Sequence, residues 1–348
     1  MMAFSTDYKL GDSGHIDLTN NMAIQLNRTL WVDDYASIQA AIDAASAGDT
    51  INFTNTARTI TTQINVNKAV TLNLRGTITA PESDYAFYIT ASDARILGKA
   101  TIVMNGGTGA IKIANSHRVN IKDLSIDLNS QAAAIGIGHY GGWYVDIENI
   151  FIQKSKSAAD SIGLYIKNVN TGEGDGSLGV YVSRYTNITC LVVKIEGADP
   201  NTVTTCTFTN LDCSNFYASL ARAITLITPV IQQTGGTSIT LRSTHGFTAV
   251  GGDYEGTGII YDIDSPSQGI MSLNNLYSGF TGTYLEGGPG AGGVFNDYSE
   301  NVNSDLLKIK ETTTPTADSG YAKVYSKSDN KLYFQDGDGT EHEISLVA

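Results

Sequence analysis

The feature that most constrains the fold is a short pattern that recurs along the chain. Residues 119–127 place isoleucine or leucine at three positions among small polar residues, and these apolar positions return 26 residues later (147 − 121) at Ile147, Ile150 and Ile152. They return once more within residues 188–193. Each copy is rich in β-branched residues and has no 3.6-residue apolar stripe, so each is predicted to be a strand rather than a helix.

A second repeat follows further along. Residues 250–256 and 273–279 align without a gap at a spacing of 23 (277 − 254), and we expect their equivalent tyrosines, Tyr254 and Tyr277, to stack as a ladder. Repeats of roughly 20–30 residues built from short strands and turns indicate a solenoid, in which each coil buries its apolar face against the next. The regular Leu/Asn pattern of a leucine-rich repeat is absent. We therefore predict an all-β, single-stranded parallel β-helix.

Composition agrees with this fold and excludes several partners. The chain has 36 glycines and only 6 prolines, which suits frequent turns and an uninterrupted hydrogen-bond ladder. A net charge of −13 argues against a nucleic-acid partner. No apolar run approaches the roughly 20 residues that span a bilayer, so membrane insertion is not expected.

The cysteines and the first residues bear on compartment and cofactors. Cys190, Cys206 and Cys213 show no metal-ligand spacing, so we predict that they fill positions in the coils and that the chain holds no metal or cofactor. Residues 1–10 contain Asp7 and no apolar core, which predicts no secretory signal. Folding in a reducing cytoplasm is expected.

One segment reads as a helix. Apolar residues within 38–45 follow the i, i+3, i+4, i+7 pattern, Asp34 or Ser37 can cap the first turn, and residues 47–49 end the pattern. The predicted helix, about residues 34–46, would cover the open end of the first coil.

This segment carries a family resemblance. Ser37-Ile38-Gln39-Ala40-Ala41-Ile42-Asp43-Ala44-Ala45, followed by Gly48-Asp49-Thr50-Ile51, resembles the entry to the right-handed parallel β-helix of pectate-lyase-like proteins, which is frequent in bacteriophage tailspikes and tail fibres. The resemblance spans roughly residues 33–300 in architecture, but its specific residues are confined to the entry. The chain departs at residues 56–59, which read Thr-Ala-Arg-Thr where Gly-Tyr is usual. Residues 320–334 look like a short terminal module of tailed-phage virion proteins.

Three domains are predicted. Residues 1–32 form an N-terminal arm that we expect to contact other virion proteins, and residues 33–300 form the β-helix. Residues 301–348 form a small C-terminal β-hairpin module for trimerisation or for the tip, because two apolar segments flank the turn at 336–339, Asp-Gly-Asp-Gly. One hairpin cannot build a core alone, so a homotrimer is expected.

Candidate catalytic residues are few. Asp262 and Asp264 share a face if the segment is extended, and Glu255 lies just upstream; paired carboxylates are what glycoside hydrolysis requires. The preferred interpretation is a solvated strand edge.

Candidate glycan-binding residues lie earlier in the chain. They are His139, in a glycine-rich predicted loop, with Trp143 and Tyr144, which can form an aromatic platform or instead pack back on the coil.

The resemblance implies a structural virion appendage of a tailed bacteriophage (a tailspike, tail fibre or head fibre) that is assembled in the host cytoplasm and binds host-surface polysaccharide. Two alternatives remain open: a polysaccharide depolymerase tailspike, acting as lyase or glycoside hydrolase, and a free bacterial carbohydrate-active enzyme. About ten coils at roughly 4.8 Å give a stack near 50 Å, short for a spike that processes long chains. We therefore favour the appendage without catalysis.

Overall fold

The computed structural model describes most of the 348-residue chain. The described residues are 15–18, 22–25, 27–129, 131–153, 161–168, 179–199, 201–264, 266–277, 280–287, 295–298, 314–316, 323–329 and 331–344. Most of the predicted arm at 1–32 therefore lies outside them. The chain divides into two compact units, Met1–Asn301 and Val302–Ala348.

The first unit is a stack of parallel coils. It begins with an antiparallel pair, β1 (His15–Leu18) and β2 (Met22–Gln25). Within the described residues, 24 further strands form one sheet. They are β3 (Thr29–Trp31), β4 (Thr50–Asn52), β5 (Arg58–Thr59), β6 (Ile64–Val66), β7 (Thr71–Thr79), β8 (Tyr85–Ile89), β9 (Arg95–Val103), β10 (Gly109–Ala114), β11 (Asn120–Asp127), β12 (Ile135–Tyr140), β13 (Gly142–Trp143), β14 (Asp146–Gln153), β15 (Ile162–Lys167), β16 (Val180–Thr189), β17 (Val192–Glu196), β18 (Val203–Cys213), β19 (Asn215–Ser219), β20 (Arg222–Ile227), β21 (Val230–Arg242), β22 (His245–Val250), β23 (Asp253–Ile263), β24 (Ile270–Leu273), β25 (Thr281–Gly287) and β26 (Phe295–Tyr298).

The sequence repeat is one turn of the solenoid. Strand β11 pairs in parallel with β9 on one side and β14 on the other, and Ile121 lies directly opposite Ile147. Ile147 and Ile150 are buried, whereas Glu148 points outward and pairs with Lys122 at 2.9 Å. The predicted parallel β-helix and its register are confirmed. The rings of Tyr254 and Tyr277 also stack, 5.5 Å apart and 29° from parallel.

Inward residues of successive coils form continuous rows through the core. The row through Ile121 consists, in chain order, of Ile51, Leu72, Ile96, Ile121, Ile147, Tyr185, Phe208, Leu226, Ala249 and Ser272. A second row consists of Ile89, Ile113, His139, Ile166, Ile195, Ala218, Leu241 and Ile263. Both rows are buried along their length.

One corner of the coil is held by an amide ladder. Asp123, Asn149, Asn187 and Asn210 all have φ between 53° and 60°, a left-handed conformation that Asn and Asp tolerate better than most residues. Each asparagine donates its side-chain N–H to the preceding member, over 2.7, 2.7 and 2.9 Å. The same turn is thereby repeated from coil to coil.

The entry helix α1 (Ile38–Ala44) is shorter than the predicted 34–46. Ser37 caps it by accepting from the Ala40 N–H at 3.1 Å, and Ile38, Ala41 and Ile42 are buried. Asp34 belongs instead to a 3₁₀ turn, Val32–Asp34. The extended backbone of residues 35 and 37 separates this turn from the helix.

The second unit is described as a three-stranded antiparallel sheet. Strands β28 (Leu332–Gln335) and β29 (Glu341–Glu343) are the predicted hairpin. Strand β27 (Lys323–Ser326) pairs with β28 and was not predicted. Its Tyr325 ring stacks on Tyr333 at 5.9 Å, which gives the third strand a packing partner.

Candidate functional site

Aromatic and charged side chains collect on one outward surface of the solenoid. Strands β8, β10, β12, β15, β17 and β19, followed by the paired ends of β21 and β23, are neighbours in the stack, and their inward residues are buried. Since strand residues alternate sides, the residues between them project outward. We call this surface the tyrosine–lysine face; it consists of Tyr88, Lys112, Tyr140, Tyr165, Lys167, Lys194, Glu196, Tyr217, Arg242 and Asp262, all partly exposed.

At one end of the face, Lys112 lies among tyrosine rings. Its Nζ is 5.0 Å from the ring centroid of Tyr88, 5.3 Å from that of Tyr140 and 5.9 Å from that of Tyr85. These distances lie within the range of cation–π attraction. The hydroxyls of Tyr85 and Tyr140 are 2.8 Å apart, which fixes the two rings relative to each other.

The middle of the face is built around Tyr165. Its ring meets Tyr140 edge-on at 5.8 Å, and the ammonium groups of Lys194 and Lys167 lie 5.5 and 5.7 Å from its centroid. The Tyr165 hydroxyl donates to Glu196, whose other oxygen is 2.7 Å from Lys194 Nζ.

Protonation states in the middle of the face follow from these contacts. Burial pushes the pKa of Glu196 upward, but hydrogen bonds from Lys194 and Tyr165 outweigh burial, so the pKa lies below its ordinary value. Burial and then the bond to Glu196 raise the pKa of Tyr165. At neutral pH the phenol is therefore a donor and the carboxylate is charged.

Glycines make room for the rings. A Cβ at Gly138 would lie 2.3 Å from Cε2 of Tyr140, and one at Gly109 would lie 2.5 Å from Cε1 of Tyr85. Real Cβ atoms do not approach so closely, so each ring rests directly on glycine backbone. For Tyr140 the sequence signal is a glycine two residues earlier, in Gly138-His139-Tyr140; Gly109 instead comes from the coil after Tyr85 and leaves no such local signal.

A separate aromatic cluster contains two of the predicted glycan-binding residues. Trp143 is 43% exposed and Tyr144 is 56% exposed, so neither packs back into the core. The Trp143 ring lies 5.0 Å from His117 and meets Tyr181 edge-on at 6.3 Å. The backbone N–H of Trp143 also donates to His117 Nδ1 at 3.2 Å.

His139 corrects the prediction of a loop residue that contacts glycan. It lies on β12 within an inward row, fully buried, with Nδ1 2.8 Å from the Tyr185 hydroxyl. Burial lowers its pKa to about 3, so the imidazole is neutral. The glycine-rich segment forms a strand because neighbouring side chains fill the space that its missing Cβ atoms leave: Ile152 beside Gly136 and Tyr140 beside Gly138.

The candidate catalytic carboxylates are each engaged elsewhere. Asp262 forms an ion pair with Arg242 at the end of the tyrosine–lysine face. Asp264 accepts from the Ser243 N–H at 2.8 Å and from the Ser267 hydroxyl at 2.6 Å, which closes a turn.

Glu255 accepts from Gln232 at 2.9 Å. It is separated from Asp262 along β23 by Gly256 and Gly258, both with φ above 110°. The structure therefore does not place Glu255 beside Asp262.

Neither a metal-binding cluster nor a membrane-spanning helix is found in the part of the chain that the structure describes. Across the described ranges, no group of three or more His, Cys, Asp and Glu side chains is arranged to hold a metal ion. Among the same residues, no helix is long and apolar enough to cross a bilayer.

Comparison with known proteins returns structures rather than sequences. No family model and no curated protein sequence matches the chain. ORF18 of Geobacillus virus E2 is 11% identical over 92% of this chain and 86% of its own, with a TM-score of 0.42. The A-module of the Azotobacter vinelandii mannuronan C-5 epimerase AlgE4 is 12% identical (78% and 100% covered, TM-score 0.39). The Dettilon tailspike protein gp208 is 10% identical (88% and 75%, TM-score 0.34). These likenesses assign no function to the chain.

Proposed function

We propose that this chain is a structural appendage protein of a tailed-phage virion that binds host-surface glycan through the tyrosine–lysine face. The observation that carries the proposal is the continuous row of tyrosine rings, ammonium groups and a charged carboxylate across neighbouring coils. Tyrosine combines an apolar ring face with a hydroxyl, which suits the apolar faces and hydroxyl edges of sugars. Lys194 and Glu196 add a donor and an acceptor at fixed positions.

The shape of the face favours a linear ligand. From Tyr88 to Tyr217 it crosses five strand-to-strand steps, roughly 24 Å at about 4.8 Å a step. The residues form an open strip along the stack rather than an enclosed pocket. A polysaccharide segment lying parallel to the solenoid axis would contact several rings at once.

The virion assignment rests on other grounds. The entry segment at 37–51 and the terminal segment at 320–334 resemble phage appendage proteins, and the parallel β-helix is compatible with that role. Fold alone does not settle function. Antibody raised against this chain is expected to label purified virions; labelling absent from virions but present in host supernatant would contradict the assignment.

Glycan binding is tested with the full chain and host-surface polysaccharide. Tyr165→Ala removes the central ring and is expected to weaken binding about two- to twelvefold, since one aromatic contact contributes about 0.5–1.5 kcal/mol. Phe151→Ala is the matched control, because it removes an exposed ring from strand β14 outside the face. Calorimetry that shows equal affinity for both variants would contradict the proposal.

A second variant perturbs the face without deleting a ring. Gly138→Ala places a methyl group where the Tyr140 ring lies, at a backbone conformation that alanine adopts without strain. We expect the ring to move and binding to weaken, with little change in melting temperature. A variant that binds as the parent does would show that the Tyr140 position is unimportant.

Assembly and catalysis are tested in the same preparation. Light scattering is expected to give three times the 37.0 kDa chain mass, and a monomer at micromolar concentration would contradict the trimer.

Incubation with host polysaccharide is expected to release no reducing ends, because Asp262 and Asp264 are both engaged. Product that Asp262→Asn abolishes would establish the depolymerase alternative instead.

A further inference from the structure

We infer that the glycan bound by the tyrosine–lysine face is anionic, a polysaccharide that carries repeated carboxylate or other acidic groups. This inference rests on the proposed glycan-binding function and adds the class of ligand. It also assigns Lys167 as a residue that contacts the acidic groups.

The tyrosine–lysine face reverses the charge balance of the chain. Over the whole chain acidic residues outnumber basic ones, 35 to 22. On the tyrosine–lysine face the order is inverted: four basic residues stand against the two acidic residues Glu196 and Asp262. A surface that departs in sign from the rest of the molecule concentrates ligands of opposite charge.

Two ammonium groups, those of Lys167 and Lys194, approach the ring of Tyr165. Among the residues that the structure describes, Glu196 is the carboxylate whose charge acts with both, and it forms an ion pair with Lys194 at 2.7 Å. Lys167 contacts the ring and, among the same residues, forms no ion pair within 4.0 Å. The described part of the site therefore holds two positive charges against one negative charge.

A neutral ligand would not need the additional ammonium group of Lys167. Hydroxyl groups of a neutral sugar are satisfied by paired donors and acceptors such as Lys194 and Glu196, and they gain little from an additional cation. A carboxylate gains a charge-assisted bond, which is stronger than a neutral one. The ring beside Lys167 also reduces its contact with water, so that less hydration is lost when an anion binds.

The test compares one polysaccharide in two forms, native acidic and carboxyl-reduced, each titrated into the full chain. The parent is expected to bind the acidic form at least tenfold more tightly, and added salt is expected to shrink the difference by screening. Lys167→Gln is expected to weaken binding of the acidic form at least threefold and to leave the reduced form unchanged. Lys99→Gln is the charge-matched control, because Lys99 is exposed on β9, outside the face.

The outcomes separate the two levels of the proposal. Binding of both forms with equal affinity, weakened by Tyr165→Ala but not by Lys167→Gln, would overturn the acidic class and keep the glycan-binding function. Binding of neither form would overturn the function itself. An equal loss in Lys99→Gln and Lys167→Gln would mean that overall charge, rather than this site, governs affinity, and would also overturn the assignment of Lys167.

Discussion

The early and late coils of the solenoid bury different kinds of side chain in the same row. From Ile51 to Ile147 the row is aliphatic, and each coil repeats its neighbour. From Tyr185 onward it mixes types: two aromatic residues, Tyr185 and Phe208, are followed by Leu226 and Ala249 and then by the polar Ser272. Aliphatic stacking is non-directional, so it tolerates exchange of similar volumes. The late coils depend instead on ring geometry and on hydrogen bonds with defined partners.

The polar part of the late coils is a buried network. Asn275 donates to Ser272 Oγ at 2.8 Å and accepts from the Gly252 N–H at 2.7 Å, and it is fully buried. Ser272 Oγ is also 3.0 Å from the Tyr277 hydroxyl. Such groups specify one register, because a shift by one residue would leave each of them unpaired.

The largest effect is expected from a substitution that disrupts the packing of an early coil. Ile150→Asp buries an unpaired charge among stacked aliphatic residues and is expected to lower the free energy of unfolding by several kcal/mol. Ile150→Leu, a swap of similar volume, should cost less than about 1.5 kcal/mol. Thermal unfolding followed by circular dichroism measures both; similar losses for the two variants would contradict the aliphatic packing.

The next effect tests the late coils with a change that the early coils would accept. Asn275→Leu keeps the number and branching of the side-chain heavy atoms but leaves the Gly252 N–H and the Ala249 carbonyl without their partner. At about 1–3 kcal/mol for an unsatisfied buried group, the expected loss of stability is about 3 kcal/mol. A loss as small as that of Ile150→Leu would remove the contrast between the two regions.

A smaller effect is expected at His139 and Tyr185, which lie where the early coils meet the late coils. Each stands next to aliphatic residues in its own row, and the two side chains form a hydrogen bond with each other. His139→Leu and Tyr185→Phe should each cost about 1–2 kcal/mol, and the double variant should cost less than the sum. Strict additivity in urea unfolding would show that the bond contributes nothing.

The same pair predicts a pH dependence. The pKa of His139 is about 3 in the folded chain, below its ordinary value of 6.5, so the unfolded chain binds more protons between these values. The contribution of His139 is fully present above pH 6.5 and is lost as pH falls toward 3. His139→Leu should flatten this slope, and an unchanged slope would assign it to other groups.

The smallest effect is on the surface of an early coil. Glu148→Gln removes the ion pair with Lys122, in which both side chains are more than one-third exposed, and should cost at most about 1 kcal/mol. A loss near that of Ile150→Asp, two residues away, would show that the inward and outward assignment is wrong.

The sequence predicts the early coils better than the tyrosine–lysine face for a physical reason. Spacings of 26 and 23 mark positions where like residues stack on like, as with Ile121 on Ile147. The face instead joins unlike residues, such as Lys112, Gly138 and Tyr165, in one register row. The spacing from Gly138 to Tyr165 is 27 (165 − 138), so the 26-residue repeat does not align these two residues either.

For the candidate carboxylates, too, the sequence predicts only part of the surroundings. That Asp262 projects outward follows from strand alternation, but its ion pair with Arg242 depends on which coil lies beneath it. The prediction for His139 is wrong because the surrounding glycines resemble a loop, whereas the two that precede it, Gly136 and Gly138, leave room for an isoleucine and a tyrosine ring. Contacts between coils, rather than local propensity, decide both positions.

The alternation of inward and outward residues has an evolutionary consequence. The outward residues of one coil can change without altering the inward rows, so selection on ligand choice and selection on folding act on separate positions. A duplication or loss of one whole coil would add or remove about 4.8 Å of face and leave the rows of the remaining coils in register. The breadth of ligands recognised by a lineage of such proteins can therefore drift while the scaffold is conserved.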